Sequence, residues 1–167
     1  IFVRGKFTLP GADLPILGSG VSNSRPGFKA TVRAAVSGGL PAGRVGLSFA
    51  PASGSVVYIS DTTVAVASAS PVDTSLAIYV DGQTRKVTVY VDGTPNRIGE
   101  ALAVADYRAV RDLVIGGCIN FTNYDGIGSQ FSEAQFLTWS NAAPTNPDKL
   151  VALLHCVPFH RLTATEC

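Results

Sequence analysis

Short apolar stretches run the length of the chain, each bounded by glycine, proline or a polar pair. Within them hydrophobic and polar residues alternate with the period of two that a half-buried β-strand imposes. The pattern predicts strands at 1–8, 27–36, 44–50, 55–60, 63–68, 75–81, 85–92, 97–104, 110–116 and 131–139. In the second of these, Ala30, Val32, Ala34 and Val36 share the face expected to point inward, opposite Thr31, Arg33 and Ala35. The clearest segment is 75–93, SLAIYVDGQTRKVTVYVDG. Leu76, Ile78 and Val80 share one face of its first strand, and Val87, Val89 and Val91 share one face of its second. Asp81-Gly82 opens the connecting turn, with Gly82 expected to take a positive φ. Asp92-Gly93 starts another turn, with Pro95 and Asn96 expected to reinforce it. Helix is scarce. Asn146 can cap one, Pro147 suits its first position, and Leu150, Leu153 and Leu154 follow at helical spacing. The proline- and glycine-rich segment 9–26 reads as a long loop. No charged or Ser-rich linker interrupts the rhythm, so residues 1–167 read as a single all-β domain, a two-sheet antiparallel sandwich with one short C-terminal helix.

Composition narrows the classes this sandwich can serve. Of 167 residues, 46% are hydrophobic and only 15% charged, which excludes a disordered segment. A net charge of +1 leaves no basic excess for nucleic acid or an anionic membrane to hold. No apolar run reaches the roughly 18 residues of a membrane-spanning helix, so no membrane insertion is expected. The N-terminus, IFVRGKFTLPG, lacks the order of a signal peptide. Methionine is absent, position 1 included, which points to a domain cut from a longer protein. Cys118, Cys156 and Cys167 are an odd set without metal-ligand spacing, so at most one disulfide can form within the chain.

Residues 72–154 resemble the concanavalin A-like jelly roll of laminin-G and pentraxin-type domains. The likeness rests on Tyr90-Val91-Asp92-Gly93, then Leu113-Val114-Ile115-Gly116-Gly117, then Ala134-Gln135-Phe136-Leu137-Thr138-Trp139-Ser140 and Asn141-Ala142-Ala143-Pro144. Such motifs are structural and speak to fold before function. Gly117-Cys118-Ile119 is similar to a cysteine site of laminin-G domains, which implies a bridge from Cys118 to Cys156, with Cys167 as the other candidate. The abundance of Ala, Gly and Val with few charges also resembles the receptor-binding tips of bacteriophage tail fibres. That likeness implies a virion or extracellular surface and a homo-oligomer such as a trimer.

Enzymatic chemistry finds little support. Glycoside hydrolysis needs two carboxylates about 5–10 Å apart, and the hydrolases of this superfamily place them as Glu-x-Asp-x-x-Glu. Glu100, Glu133 and Glu166 are the only glutamates and form no such cluster. His155 and His160 are the only histidines, and no Gly-x-Ser-x-Gly elbow accompanies them. Many lectins of this superfamily bind through calcium, which takes six to eight oxygens. Candidate ligands are Asp125, Asp92 with Asn96, and Asp61 with Asp73; the alternative is that these residues simply build turns. The loop 120–129 is the candidate sugar site, with Asn120, Asn123, Asp125 and Ser129 as polar contacts and Tyr124 as the aromatic face. Trp139 lies in an alternating strand and is expected in the core or a subunit interface. The expected function is a non-catalytic module that binds a cell-surface glycan. The alternative is a structural or oligomerisation domain without a small ligand, and glycan hydrolysis is the weakest reading.

Overall fold

The computed structural model describes residues 1–19, 27–34, 41–51, 55–59, 61–101, 114–115, 129–139 and 144–156. In chain order the elements are β1 (Phe2–Lys6), β2 (Leu14–Gly18), β3 (Gly27–Val32), β4 (Val45–Ala50), β5 (Val57–Ile59), β6 (Asp73–Asp81), β7 (Lys86–Val91), β8 (Thr94–Ala101), β9 (Val114–Ile115), β10 (Gln130–Gln135) and α1 (Pro147–Cys156). They form two five-stranded antiparallel sheets, ordered β10-β1-β6-β7-β8 and β5-β4-β3-β2-β9. The jelly-roll sandwich expected from the sequence is present.

Alternation explains the core. Val3, Leu76, Ile78, Val87, Val89 and Val91 project from the first sheet against Ile16, Leu17, Ala30, Val32, Val45, Leu47 and Phe49 of the second. The opposite parity of the first sheet is also apolar: Phe2, Ala77 and Tyr90 form a second cluster with Val151 and Leu154 of α1. That sheet is therefore covered on both faces. The helix starts as its sequence predicts. Asn146 Oδ1 accepts from Lys149 N at 2.9 Å, and Pro147 takes the first position. Tyr90 donates to Asp148 Oδ1 at 2.7 Å, and burial together with that carboxylate pushes the phenol's pKa well up. At the other end, Arg4 donates to the carbonyls of Leu154 and His155, where a cation suits the helix dipole. Asn146→Ala should lower stability by about 1 kcal/mol, the usual cost of losing an N-cap. Urea denaturation with circular dichroism checks it.

Three local expectations are corrected. Residues 14–18, read as loop, form β2 between β3 and β9. A bulge between Pro15 and Leu17 breaks the alternation and sends both Ile16 and Leu17 into the core. β9 pairs only with Leu17 and Gly18, so Pro15 lies beyond the paired stretch on that side. Residues 63–68, read as a strand, form no ladder beyond a single bridge from Ser68 to Thr8. They make a strap instead: Val66 and Ala67 donate to Gly43 O, and Ser68 donates to Phe7 O.

The third correction concerns the turns of the hairpin. At 81–86 the positive φ falls on Arg85 (55°), not on Gly82. Asp92 (49°) and Gly93 (74°) are both left-handed and make a two-residue turn, with Val91 paired to Thr94. β8 thus begins at Thr94, and Pro95 and Asn96 lie in an edge strand rather than in the turn.

Candidate functional site

Strand parity places Tyr79 beside Ala77 on the outer face of the first sheet, away from the core positions Leu76 and Ile78. Beyond Gln135 the chain leaves the ladder of β1, and 136–139 runs past the end of the sheet. There Leu137 packs on the α1 cluster, while Phe136 (62% exposed) and Trp139 (45% exposed) stay open. Tyr79 and Trp139 meet edge to face, with centroids 6.5 Å apart and planes at 65°. These pieces, the β6–β7 tip and the apolar face of α1 enclose a groove of about 550 Å³. Its size falls in the roughly 300–1,000 Å³ range of small-molecule sites. Phe28 and Phe49, stacked at 5.9 Å, reach it from the end of the sandwich.

The groove's polar groups come from the hairpin tip and from Thr138. Asp81 accepts from Thr84 Oγ1 (2.6 Å), Thr84 N (3.2 Å) and Gln83 N (2.9 Å). The bond from the Thr84 hydroxyl, then that from its amide, holds the Asp81 carboxyl below its usual range, so it is ionised at neutral pH. Burial, reinforced by Asp81, raises the Tyr79 phenol, which therefore stays a neutral donor.

Of the sugar-loop candidates, Asn120, Asn123, Tyr124 and Asp125 lie outside the described residues. Ser129 leads into β10, and its Oγ accepts from Thr8 N at 3.2 Å. Of the calcium candidates that can be placed, Asp92, Asn96 and Asp61 make bonds within the fold. Asp92 Oδ1 accepts from Ser75 N at 2.8 Å, and Asn96 bonds Thr63 through both Oδ1 and Nδ2. Asp61 is held by Arg33 (3.0 and 3.1 Å), and Asp73 starts β6 opposite Lys6. Among the described residues no three His, Cys, Asp or Glu side chains come together as a metal-holding group, and Asp125 lies outside those residues. His155 Nδ1 lies 2.8 Å from Ser75 Oγ. Cys156 is an exposed free thiol, and its suggested partner Cys118 lies outside the described residues. Trp139, expected in the core or a subunit interface, lies outside the core. Local alternation misses this, because pairing stops at Gln135 while the apolar rhythm continues.

No protein-family model matches the sequence, and no curated protein matches it. Solved structures do. The carbohydrate-binding module CBM40 of a Ruminococcus gnavus IT-sialidase superposes with a TM-score of 0.56 at 17% identity, over 78% of this chain and 72% of that one. The same module bound to α2,6-sialyllactose gives 0.52 at 16% identity, over 70% of this chain and 62% of that one. Domains LG4–5 of the mouse laminin α1 chain give 0.49 at 16% identity, over 76% and 30%. The fold is thus a two-sheet jelly-roll sandwich. More particularly, it is the sandwich that the sialidase CBM40 also has.

Proposed function

We propose that this chain is a non-catalytic carbohydrate-binding module that recognises a cell-surface glycan. The observation that carries the reading is the open groove in which Tyr79 and Trp139 hold each other at a fixed angle. A pyranose ring offers C–H groups to an aromatic face and hydroxyls to nearby donors and acceptors. Asp81 is the one carboxylate lining the groove among the described residues, whereas glycoside hydrolysis uses a pair. The sialyllactose bound to the similar R. gnavus module supports the same reading. In this reading the module stands on an extracellular or virion surface as part of a longer polypeptide, presented by a homo-oligomer. The loop residues Asn120, Asn123, Tyr124, Asp125 and Ser129 are proposed as a second contact surface, Ser129 lying at the Thr8 end of β10, the other end of that strand from the groove.

A glycan array probed with the labelled protein tests the reading. Saturable binding to a defined subset of glycans is expected, and binding to none overturns it. Tyr124→Ala should weaken that binding by about 1–3 kcal/mol, the scale of an aromatic hot spot, while stability moves by less than about 0.5 kcal/mol. Asp125→Ala should weaken it in the same direction. Titration calorimetry alongside thermal melts separates the two effects. Unchanged affinity in both variants removes the loop from the site.

A further inference from the structure

Charge selects what the groove can admit. Among the described residues no lysine, arginine or histidine lines it. Lys86, paired with Asp81 across the hairpin and close enough for its charge to help lower that carboxyl's pKa, is exposed and is not a lining residue. The chain continues from Trp139 as Ser-Asn-Ala-Ala, which carries no charge. The nitrogen of Ile1 donates to Ile78 O, and within a longer polypeptide it is an uncharged amide. Among the described lining residues the one charged side chain is the carboxylate of Asp81. A sialylated, uronated or sulfated sugar would bring a second anion beside Asp81 in a partly desolvated groove with no cation among its described lining residues, an arrangement that disfavours binding.

An uncharged sugar meets no such obstacle. Trp139 and Tyr79 supply ring faces, and Thr138, Gln83 and the Tyr79 hydroxyl supply hydrogen bonds. Leu137, Leu150 and Leu154 make an apolar floor suited to a methyl group. We propose that the groove between the β6–β7 tip, residues 136–139 and α1 binds an uncharged glycan bearing a methyl-containing substituent, an N-acetyl group or a 6-deoxy carbon. It discriminates against sialylated glycans. The inference rests on the carbohydrate-binding reading and sharpens it. The sialyllactose held by the R. gnavus module would not be the ligand of this groove.

Calorimetric titration tests the proposal with four probes: N-acetylchitotriose, 2′-fucosyllactose, lactose and 6′-sialyllactose. The first two probes separate the N-acetyl from the 6-deoxy source of the methyl group. At least one of them is expected to bind more than tenfold tighter than lactose, with no measurable binding of 6′-sialyllactose. Trp139→Ala should weaken the preferred neutral probe at least tenfold. Phe136→Ser, at a more exposed position, is a second probe of the rim should the tryptophan variant fold poorly. Gln83→Arg places a cation at the tip and should bring sialyllactose binding into the measurable range. Sialyllactose binding as tight as the best neutral probe overturns the inference. So does unchanged neutral-glycan affinity in both rim variants. If glycans bind but only loop variants such as Tyr124→Ala reduce affinity, the groove is refuted and the module reading survives. Binding to no glycan on the array refutes both.

Discussion

Leu76→Ala is expected to destabilise the protein by about 3–5 kcal/mol, the range for a leucine truncated in a core that cannot collapse onto the gap. Leu76 is 1% exposed and sits on the central strand β6, paired with Val3 on one side and Val91 on the other. All three residues belong to the cluster between the sheets, so relaxation would have to move two ladders at once. Val80, two residues from Ile78 on the same strand, is 46% exposed, and Val80→Ala should cost less than about 0.5 kcal/mol. Urea denaturation of both variants checks the contrast. A loss below about 1 kcal/mol at Leu76 would mean the sheets do not pack as described.

Arg33→Met should cost about 3 kcal/mol, because it strands a charge that is out of water. The Asp61 side chain is 3% exposed, and Arg33 holds both its oxygens while also reaching Asp13 at 3.0 Å. The Asp61 and Asp13 carboxylates keep the guanidinium's pKa raised against the opposing effect of burial. The cost falls at the lower end of the range for broken buried pairs since Arg33 itself is about a quarter exposed. Gly46 makes the cluster possible: a Cβ there would lie 2.2 Å from Asp61 Oδ1. Pairing Arg33→Met with Asp61→Asn should recover much of the loss, because the amide needs no countercharge. A double-mutant cycle measures this, and additive losses would show that the two side chains act independently.

The features legible in the sequence are those whose physics is local. The 75–93 hairpin could be read because Leu76, Ile78, Val87, Val89 and Val91 alternate without interruption between Asp-Gly turns, and those residues do face the core. The helix could be read because Asn146 and Pro147 act on their own next few residues. β2 was hidden because its bulge puts Ile16 and Leu17 on the same side, which erases the period of two. The strap at 63–68 misled for the opposite reason. Val64 and Val66 recur at the spacing of one strand face, yet Val66 is buried and Val64 exposed, so the segment has the sequence of a strand without its faces or its ladder.

The groove was illegible because its walls come from residues far apart in sequence. Tyr79 and Trp139 become neighbours only when the chain departs from β1 after Gln135 and α1 returns to the outer face of the same sheet. Asp92 in its turn and Asn96 just beyond it are short polar side chains, which serve either as ligands or as bonds to nearby backbone. Here both bond to neighbouring segments of the chain, to Ser75 and Thr63.

Trp139 is the only tryptophan in the chain and lies in the groove itself. Its fluorescence therefore tests most directly the claim that this module binds an uncharged glycan there. Titration with N-acetylchitotriose or 2′-fucosyllactose should change the emission saturably, with the same midpoint as the calorimetric curve, whereas 6′-sialyllactose should leave it unchanged. An emission spectrum unmoved by a glycan that calorimetry shows to be bound, or one moved only by the sialylated sugar, would contradict the account.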